Sequence, residues 1–463
     1  MKHTLLAASA VKSLGDAAFK AKLQDLRRTD NVTNFYYIAR TYLFLVAVIG
    51  GAIAFDVWRT AEGWHWASLA PVFFAAAFLV GAGQHHLSGL AHEGTHHILF
   101  RNRYLNELAS DVLCMFPLFS STYRFRLQHL AHHQFVNDPE RDPDMSQLRE
   151  SGHELTFPMD KAEARKALLM QVRPSRLVKY MLARAAYGSA GVGTTNPYAK
   201  AGDKPAKLAL RVGLAVLAAQ VACVGAAIGT GELFWLAVVA PALFAVSAVA
   251  LVLLPMSAYT QTRLRPVFAL RWMGLMRVTF IAGMLNAVGW AQMLTGAPAA
   301  MYFVVLWIIP VFTSYSFFMG LRQTVQHGNG DRGRLTNSRV FAIGRPLHAA
   351  VFPIGQDFHL PHHLYATVPH YRLKQLHDEL LTYPEYQADA LEVHGYFRPP
   401  VEPPTRPTVL DVLGPAYAGR PTRDAHIDNT VLNDDQIDGR AEIEREAAIS
   451  AGVVDRPLLK DAA

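Results

Sequence analysis

LAHEGTHHILF, residues 90–100, ends a mostly apolar run that begins at residue 67 and brings three histidines and a glutamate to its end. HEGTH within it, residues 92–96, satisfies the H-E-x-x-H pattern that is typical of zinc peptidases. About 20 apolar residues are enough for a helix to cross the hydrocarbon core of a membrane. The sequence therefore puts a metal-binding pattern at the exit of a predicted span. The favoured chemistry depends on how many further histidines of the chain lie at the same site as this pattern.

The composition indicates an integral membrane protein with large water-facing parts. Of the 463 residues, 51% are hydrophobic and 17% are charged, and the mean hydropathy is only +0.13 because long apolar runs alternate with polar blocks. The two cysteines, Cys114 and Cys223, form neither a C-x-x-C pair nor a disulfide framework. The net charge of +7 lies beside apolar runs rather than on one continuous basic face. This pattern favours a membrane surface over nucleic acid as the partner.

Six stretches come close to the length of a membrane span. They are residues 38–57, 67–90, 207–229, 233–255, 272–293 and 299–320. The predicted fold class is therefore all-α, a polytopic membrane helical bundle. If the stretch 272–293, which contains Arg277 and Asn286, lies flat or re-enters, another stretch must also fail to cross. Four and six spans both stay open.

Basic residues predict the orientation, because cytosolic loops carry an excess of Lys and Arg. Such residues are frequent in 1–36 and 256–271 and rare in the loop 58–66. An even number of spans separates residues 91–206 from residues 321–463. Both polar regions and both termini are therefore predicted to be cytosolic, and the membrane to be a bacterial inner membrane.

The chain divides into three predicted parts. Residues 1–36 form a cytosolic N-terminal segment, and residues 37–390 form the membrane domain with its polar regions. Residues 391–463 are first proline-rich and then acidic and polar, without apolar periodicity. Such a composition cannot bury much apolar surface, so this tail is predicted to be disordered.

Ten of the 20 histidines fall into four places that the predicted topology puts on one side of the membrane. They are His92, His96 and His97; His129, His132 and His133; His327; and His359, His362 and His363. Helical residues three or four apart share a face, so a cluster can aim two or three imidazoles at one point. Neutral imidazole is a common metal ligand. Clusters at membrane exits on one face favour a shared metal site over unrelated surface histidines.

The number of histidines argues against a peptidase. A zinc peptidase needs two histidines, one further ligand and a glutamate base, so HLAHH (129–133) and HLPHH (359–363) would have no role. Up to ten imidazoles are enough for two metals with four or five nitrogens each. The favoured architecture is a cytosolic helical cap that holds a histidine-rich two-metal site. An intramembrane zinc metalloprotease using HEGTH and a metal-responsive membrane binding protein or transporter are the alternatives from other classes.

The order of these clusters resembles that of the integral-membrane fatty acid desaturase and hydroxylase family. HEGTHH, HLAHH and HLPHH are similar to its three histidine boxes. NDPERDPD (137–144) looks like its N-D-P-x-x-D-P-D stretch, and LRQTVQHG (321–328) like its R-x-x-x-E-H-G. HHLYATVPHYRLKQLH (362–377) looks like the segment that closes the family's core. The resemblance covers about residues 67–382.

The resemblance implies a non-haem di-iron centre with dioxygen as co-substrate. The implied ligands are His92, His96, His129, His132, His133, His327, His359, His362 and His363, with His97 as a further candidate. Glu93, Asp138, Asp142 and Asp357 are implied to orient the ligand imidazoles. Gln326 stands where the family often has Glu, which argues against a carboxylate that orients His327. Pro361 lies inside the third box and puts His359 just before a helix.

The predicted function is an oxygen-dependent lipid desaturase that introduces a double bond into a fatty acyl chain. A hydroxylase or ketolase of the same family, acting on a fatty acid, alkane, sterol or carotenoid, is the alternative that the sequence does not separate. The chain has no H-P-G-G, no Fe–S cysteine spacing and no G-x-G-x-x-G after a strand. A separate electron donor is therefore implied, of the ferredoxin, rubredoxin or cytochrome b5-like kind.

Overall fold

A computed structural model describes residues 12–190, 196–198, 206–419 and 426–431, and its architecture is helical, as predicted. The α-helices are, in chain order, α1 (Ala17–Leu26), α2 (Thr33–Ala61), α3 (Leu69–Thr95), α4 (Arg103–Ser110), α5 (Thr122–Gln134), α6 (Pro143–Ser151), α7 (Lys161–Gln171), α8 (Pro174–Arg184), α9 (Leu208–Thr230), α10 (Ala240–Leu253), α11 (Leu270–Thr295), α12 (Ala299–Phe303), α13 (Ile309–Phe312), α14 (Ser314–His327), α15 (Arg345–Val351), α16 (His359–Leu364), α17 (Leu373–Leu380), α18 (Pro384–Asp389) and α19 (Val409–Val412). The π-helical turns are Asp111–Met115, Ala185–Ala190, Trp235–Val239 and Val304–Ile308. The 3-10 turns are Trp66–Ser68, Phe116–Leu118, Met256–Ala258, His370–Arg372, Pro415–Tyr417 and Asn429–Val431. The strands are β1 (Val340–Ala342) and β2 (Glu392–His394).

All six predicted spans are helical. The helical segments that are long and apolar enough to cross a membrane are Thr33–Ala61, Trp66–Thr95, Leu208–Thr230, Trp235–Leu253, Leu270–Thr295 and Ala299–His327. The stretch with Arg277 and Asn286, whose crossing the sequence left open, forms one of them as α11. The last segment continues beyond its predicted end at residue 320 and reaches His327.

The outer surfaces of these helices are apolar. Leu43 is 70% exposed, Phe74 77%, Val246 71% and Leu253 76%. Apolar surface on this scale is unfavourable in water and favourable against lipid chains. Together with the length of the six helices, it makes the chain an integral membrane protein.

The spans form two groups of helices. In the first group α3 packs against α2 and α14, and in the second group α9 packs against α10 and α11. The last span, which ends in α14, is the most enclosed of the six. Its position against α3 brings together two helices that each end in predicted ligand histidines.

The polar regions meet at one end of the bundle, as the even number of spans predicts. α3 and α14 both leave the bundle there, and α2 starts there. The side-chain amide of Asn34, at the start of α2, donates a hydrogen bond to the carbonyl of Leu99, 2.7 Å away and just beyond α3. Helices α4 to α8 and α15 to α19 assemble on this end as a cap.

The prediction of a disordered tail is wrong for residues 391–419. β2 pairs in parallel with β1, with Val340 opposite Glu392. Val409 and Leu413 are fully buried in the same apolar cluster of the cap. α19 is only four residues long and Thr408 caps it, so these apolar residues are too few to produce a periodic pattern. They are buried by neighbours that are distant in the sequence.

Part of the remaining tail also contacts the cap. The backbone N–H of His426 donates to the carbonyl of Arg332 over 2.9 Å. The rest of the predicted tail, residues 420–425 and 432–463, lies outside the described residues.

The predicted N-terminal segment belongs in part to the folded cap. α1 buries Phe19, whose ring centroid lies 5.4 Å from that of Tyr365 and 5.1 Å from that of Tyr383. The segment also contains the start of α2 at Thr33. Residues 1–11 lie outside the described residues.

The close crossing of α3 and α14 requires a glycine. The hydroxyl of Ser314 donates to the carbonyl of Ala77 over 2.7 Å and holds the start of α14 against α3. A Cβ at Gly81 would overlap the side chain of Ser314 and the backbone nitrogen of Tyr315. A backbone atom cannot rotate out of the way, so only glycine allows the two backbones to approach this closely.

We expect Gly81→Ala to lower the stability by about 1–3 kcal/mol, because an atom inserted into a closed contact forces the helices apart. Gly283→Ala in α11 is the matched control, since a Cβ there meets no atom within 4 Å. Thermal unfolding in detergent should give a lower Tm for Gly81→Ala and an unchanged or higher Tm for Gly283→Ala. Equal Tm values for the two variants would contradict the close crossing.

Candidate metal centre

Nine of the ten predicted ligand histidines converge in two clusters. The first cluster contains His92, His96, His129, His133 and His362, and the second contains His132, His327, His359 and His363. Within each cluster, one nitrogen of every ring lies within 4.8 Å of the others. Every ring is buried except that of His327, which is half-buried.

The two H-x-x-H-H boxes divide between the clusters in the same way. In α5, His129 and His133 are four residues apart and enter the first cluster, whereas His132 enters the second. In α16, the pair four residues apart enters the second cluster and the middle histidine, His362, enters the first. The division follows from 3.6 residues per turn, because residues four apart are nearly aligned and the middle one points to a different side. Each helix therefore contributes to both clusters.

The third box starts a helix instead of preceding one. α16 begins at His359 and has Pro361 in its first turn, where the missing N–H breaks no helical hydrogen bond. His359 is therefore helical, which corrects the prediction that it lies just before the helix. Its Nε2 is 2.8 Å from Nε2 of His327 and 3.1 Å from Nε2 of His363.

The distances between nitrogens suit metal coordination. In the first cluster, Nε2 of His129 is 2.9 Å from Nε2 of His96 and 3.0 Å from Nε2 of His133. In the second, Nε2 of His132 is 3.1 Å from Nε2 of His327. Two nitrogens that bind one ion at about 2.1 Å and a right angle lie about 3.0 Å apart. The donor set therefore fits metal ions with imidazole ligands.

The protonation of the rings also fits ligation. Burial holds the pKa of His129 and of His363 well below the usual range, and neighbouring imidazoles lower both pKa values further. Both ring nitrogens of His92 are buried, and neither has a hydrogen-bond partner among the described residues. Metals bind neutral imidazole through a free lone pair, which these buried rings provide.

The two clusters are direct neighbours. The ring of His133 in the first cluster stacks on that of His363 in the second, with centroids 4.1 Å apart and planes 11° apart. Ions held by the two clusters would therefore share one enclosed site.

Two rings of the second cluster are oriented by hydrogen bonds at Nδ1. Nδ1 of His327 donates to the carbonyl of Asn337 over 2.9 Å. Nδ1 of His132 lies 3.0 Å from both carboxylate oxygens of Asp142. Burial lowers the pKa of His132, but Asp142 and Asp144 outweigh it and raise that pKa to about 9. The hydrogen bond to Asp142 keeps a proton on Nδ1 and directs Nε2 at the cluster, where a bound metal ion would displace the second proton of the ring.

Asp138 and Asp357 were predicted to orient imidazoles of the site, and the structure corrects this. Asp138 pairs with Arg141 at 2.6 Å and with Arg332 at 2.7 Å and closes the turn after α5. Asp357 pairs with Nε2 of His348 at 3.1 Å. Both carboxylates therefore stabilise the chain around the site without touching the rings of the clusters.

Glu93 links the end of α3 to the segment after α16. It is 1% exposed, and Oε2 accepts the backbone N–H of His370 over 2.8 Å. Oε1 lies 3.7 Å from Nδ1 of His92, beyond hydrogen-bond distance. Among the four predicted orienting carboxylates, Asp142 is thus the one that hydrogen-bonds a ring of the clusters.

His97 joins neither cluster. Its φ of +57° marks the turn that follows α3, and its side chain lines a cleft of about 540 Å³. Arg27 and Arg334 line the same cleft, which also reaches His133 and His363. The cleft therefore touches both clusters from the cap.

A buried ion pair that the sequence did not predict holds α5 against the end of α3. Nη2 of Arg126 is 2.7 Å from Oε2 of Glu107, and it donates to the carbonyl of Gly94 over 2.8 Å. Nε of Arg126 donates to the carbonyl of Thr95 over 2.9 Å. The last turn of a helix leaves such carbonyls unpaired, so Arg126 satisfies them and fixes α5 beside the first box. No spacing in the sequence distinguishes this pair from surface charges.

Comparison with known families agrees with this geometry. The sequence profile of the fatty acid desaturase family matches residues 64–271 and 251–392. The matched region covers more than half of the chain and contains every histidine of the two clusters.

Two known proteins are similar to parts of the chain. The Dihydrorhizobitoxine desaturase of Bradyrhizobium elkanii is 30% identical over 126 residues, which is 27% of this chain and 32% of that protein. The Delta(5) fatty acid desaturase fat-4 of Caenorhabditis elegans is 38% identical over 73 residues, 16% of either chain. The similar segments thus span about a third and about a sixth of these relatives.

We expect His96→Ala to weaken metal binding by roughly tenfold or more, because even residues that only orient a ligand contribute about 10- to 100-fold. The neighbouring His97→Ala is the matched control and should keep the full metal content. Elemental analysis of both purified variants measures the difference. Equal metal loss in the two would contradict the separation of His97 from the clusters.

We expect Asp142→Asn to lower metal affinity about 10- to 100-fold, because a neutral amide oxygen accepts the Nδ1–H of His132 more weakly than the carboxylate does. Asp138→Asn, in the same turn, is the matched control. It weakens the ion pairs of Asp138 with Arg141 and Arg332, so its Tm can fall, but it should retain the metal. Competition with a chelator, at increasing concentration, compares the two. If Asp142→Asn and Asp138→Asn lose their metal at the same chelator concentration, Asp142 does not act through His132.

Proposed function

Because the chain belongs to the fatty acid desaturase family, we propose that it is an oxygen-dependent lipid desaturase that introduces a double bond into a fatty acyl chain. The observation that carries the proposal is the convergence of nine histidines in two adjoining clusters. They lie at the end of an apolar bundle, close to the membrane from which a lipid substrate would come.

Two iron ions are the proposed cofactor. Five imidazoles in the first cluster and four in the second would hold them. Imidazole suits zinc, copper, iron and nickel alike, so the redox chemistry of the family supports iron. Iron bound here would supply the activation of dioxygen that is needed to remove hydrogen from an unactivated methylene.

The chain itself positions and shields this site. Asp142 and the carbonyl of Asn337 orient two rings of the second cluster, and Arg126 fixes the helix that carries the second box. Phe125 stacks on the ring of His129 with centroids 5.5 Å apart and covers it with apolar surface. A site enclosed in this way protects a reactive centre from water.

Desaturation is favoured over hydroxylation or ketolation. Both relatives named above are desaturases. Removing two hydrogens from neighbouring carbons while reducing one dioxygen to two waters also requires two electrons and two protons from outside the substrate. The proposed donor is a ferredoxin, rubredoxin or cytochrome b5-like protein. An acidic donor would suit the arginines of the cleft that touches both clusters.

The proposed orientation follows the distribution of basic residues. We place the cap and both termini in the cytosol and the bundle in a bacterial inner membrane. In this orientation the cleft of Arg27 and Arg334 faces the compartment where soluble electron carriers are reduced.

The arrangement argues against a zinc peptidase that uses HEGTH. Glu93 would be its general base, yet its carboxylate is buried and accepts the backbone N–H of His370. A base must be free to reach a metal-bound water. A peptidase would also leave most of the nine histidines without a role.

We expect cells that express the chain to gain acyl chains with an additional double bond, and cells that express His132→Ala to show none. His65→Ala, at the opposite end of the bundle, is the matched control and should give the same product as the native chain. Mass spectrometry of the extracted lipids detects a loss of two hydrogens per chain.

Metal analysis of the purified protein completes this test. We expect about two iron ions per chain, since imidazole clusters of this size hold one ion each. New hydroxyl groups in the lipids would assign the chain to the hydroxylases instead. A single zinc ion, with activity intact in His132→Ala, would contradict the oxidative function.

A further inference from the structure

A second polar site lies where the cap meets the second group of spans. It is a cavity of about 100 Å³ between the start of α5 and helices α9 and α11. Two arginines, Arg124 and Arg277, line it together with Ser121 and Tyr123. Its remaining wall is mostly apolar, and one residue of that wall, Leu214, is 58% exposed on the outer surface of α9. The cavity therefore borders the lipid-facing surface.

Arg277 is the unusual residue of this wall, because it lies about two turns inside a membrane-spanning helix. A guanidinium at such a position is unfavourable in energy and generally marks a functional site. Nη1 donates to the carbonyl of Ser189 over 2.8 Å. Among the described residues no carboxylate lies within ion-pair distance of Arg277. The nearby acid whose charge acts on it, Asp111, accepts the backbone N–H of Thr122 instead.

Arg124 reaches the same cavity from α5. Its Nη1 is buried and has no hydrogen-bond partner among the described residues. Its guanidinium lies 5.6 Å from the ring centroid of Tyr123, which contributes no negative charge. An unpaired buried donor is unfavourable, and two guanidinium groups at one cavity attract a carboxylate or phosphate that both can bind.

We propose that this cavity binds the anionic head, a carboxylate or a phosphate, of the lipid that the metal centre oxidises. The proposal rests on the proposed desaturase function for the identity of that lipid. Arg124 and His129 lie on the same helix, five residues and so about 7–8 Å of helical rise apart. Arg124 and Arg277 thus hold the head at a set distance from the first cluster. They are positioning residues that determine which carbons of the chain reach the metal centre.

Binding can be measured without turnover. The iron-loaded protein in phosphatidylcholine nanodiscs is titrated with palmitate, with phosphatidylglycerol and with the uncharged methyl palmitate, and native mass spectrometry records the bound lipid. We expect an anionic lipid to bind and methyl palmitate to bind weakly. Preference for palmitate identifies a carboxylate head, and preference for phosphatidylglycerol identifies a phosphate head. Equal binding of palmitate, phosphatidylglycerol and methyl palmitate would overturn the proposal.

Variants connect this binding to the two arginines. Arg277→Gln and Arg124→Gln should each weaken the binding of the anionic lipid by roughly tenfold, since each removes a charge-assisted hydrogen bond. Arg271 lies on α11, as Arg277 does, but outside the cavity. Arg271→Gln is therefore the matched control and should bind the anionic lipid as the native chain does. Because each of the two variants alone tests whether binding depends on an arginine, the experiment is still decisive if one of them fails to fold. Unchanged affinity in the folded variants would overturn the proposal.

The position of the new double bond distinguishes a site that binds the head of the substrate from a site at which a lipid only packs against the protein. We expect Arg277→Gln to raise KM with little change in kcat and to distribute the double bond over several carbons. Anion binding that depends on the arginines, with KM and bond position unchanged, would contradict a substrate site. If no lipid is desaturated while this binding persists, the anion site stands and the proposed function fails.

Discussion

Imidazole lone pairs directed at one another are the constraint on which this fold depends. Ring nitrogens 2.8–3.1 Å apart cannot all be satisfied by hydrogen bonds to one another, and a cation between them would remove the repulsion of their lone pairs. Two cations at adjoining points can satisfy nine rings from α3, α5, α14 and α16. The positions of these four helices are therefore linked, because moving any one of them removes ligands from a cluster.

The second requirement is that the buried rings keep one orientation. Arg126 meets it by pairing with Glu107 and by satisfying the last carbonyls of α3 with the same guanidinium. Asp142 and the carbonyl of Asn337 meet it at Nδ1 of two rings. These contacts hold the candidate ligands in place, which would reduce the reorganisation that metal binding requires.

The bundle places this centre next to lipid. Gly81 allows α3 and α14 to approach closely, so that two helices ending in candidate ligand histidines leave the bundle side by side. The cavity with Arg124 and Arg277 lies on the neighbouring group of spans, and α5 connects it to the first cluster. One rigid helix can thus relate the head of a lipid to the carbons that react.

The sequence by itself predicted the helical class, six stretches long enough to span a membrane and the nine histidines that converge, because hydrophobic length and the spacing of i, i+3 and i+4 are local properties. Its prediction for His97 failed at a left-handed turn. Its prediction for Asp138 failed because the neighbouring Arg141 and the distant Arg332 both pair with the carboxylate. Tertiary structure alone decided the division of each H-x-x-H-H box, the pairing of Arg126 with Glu107 and the order within residues 391–419. Each of these depends on contacts between segments far apart in the chain, which no local pattern records.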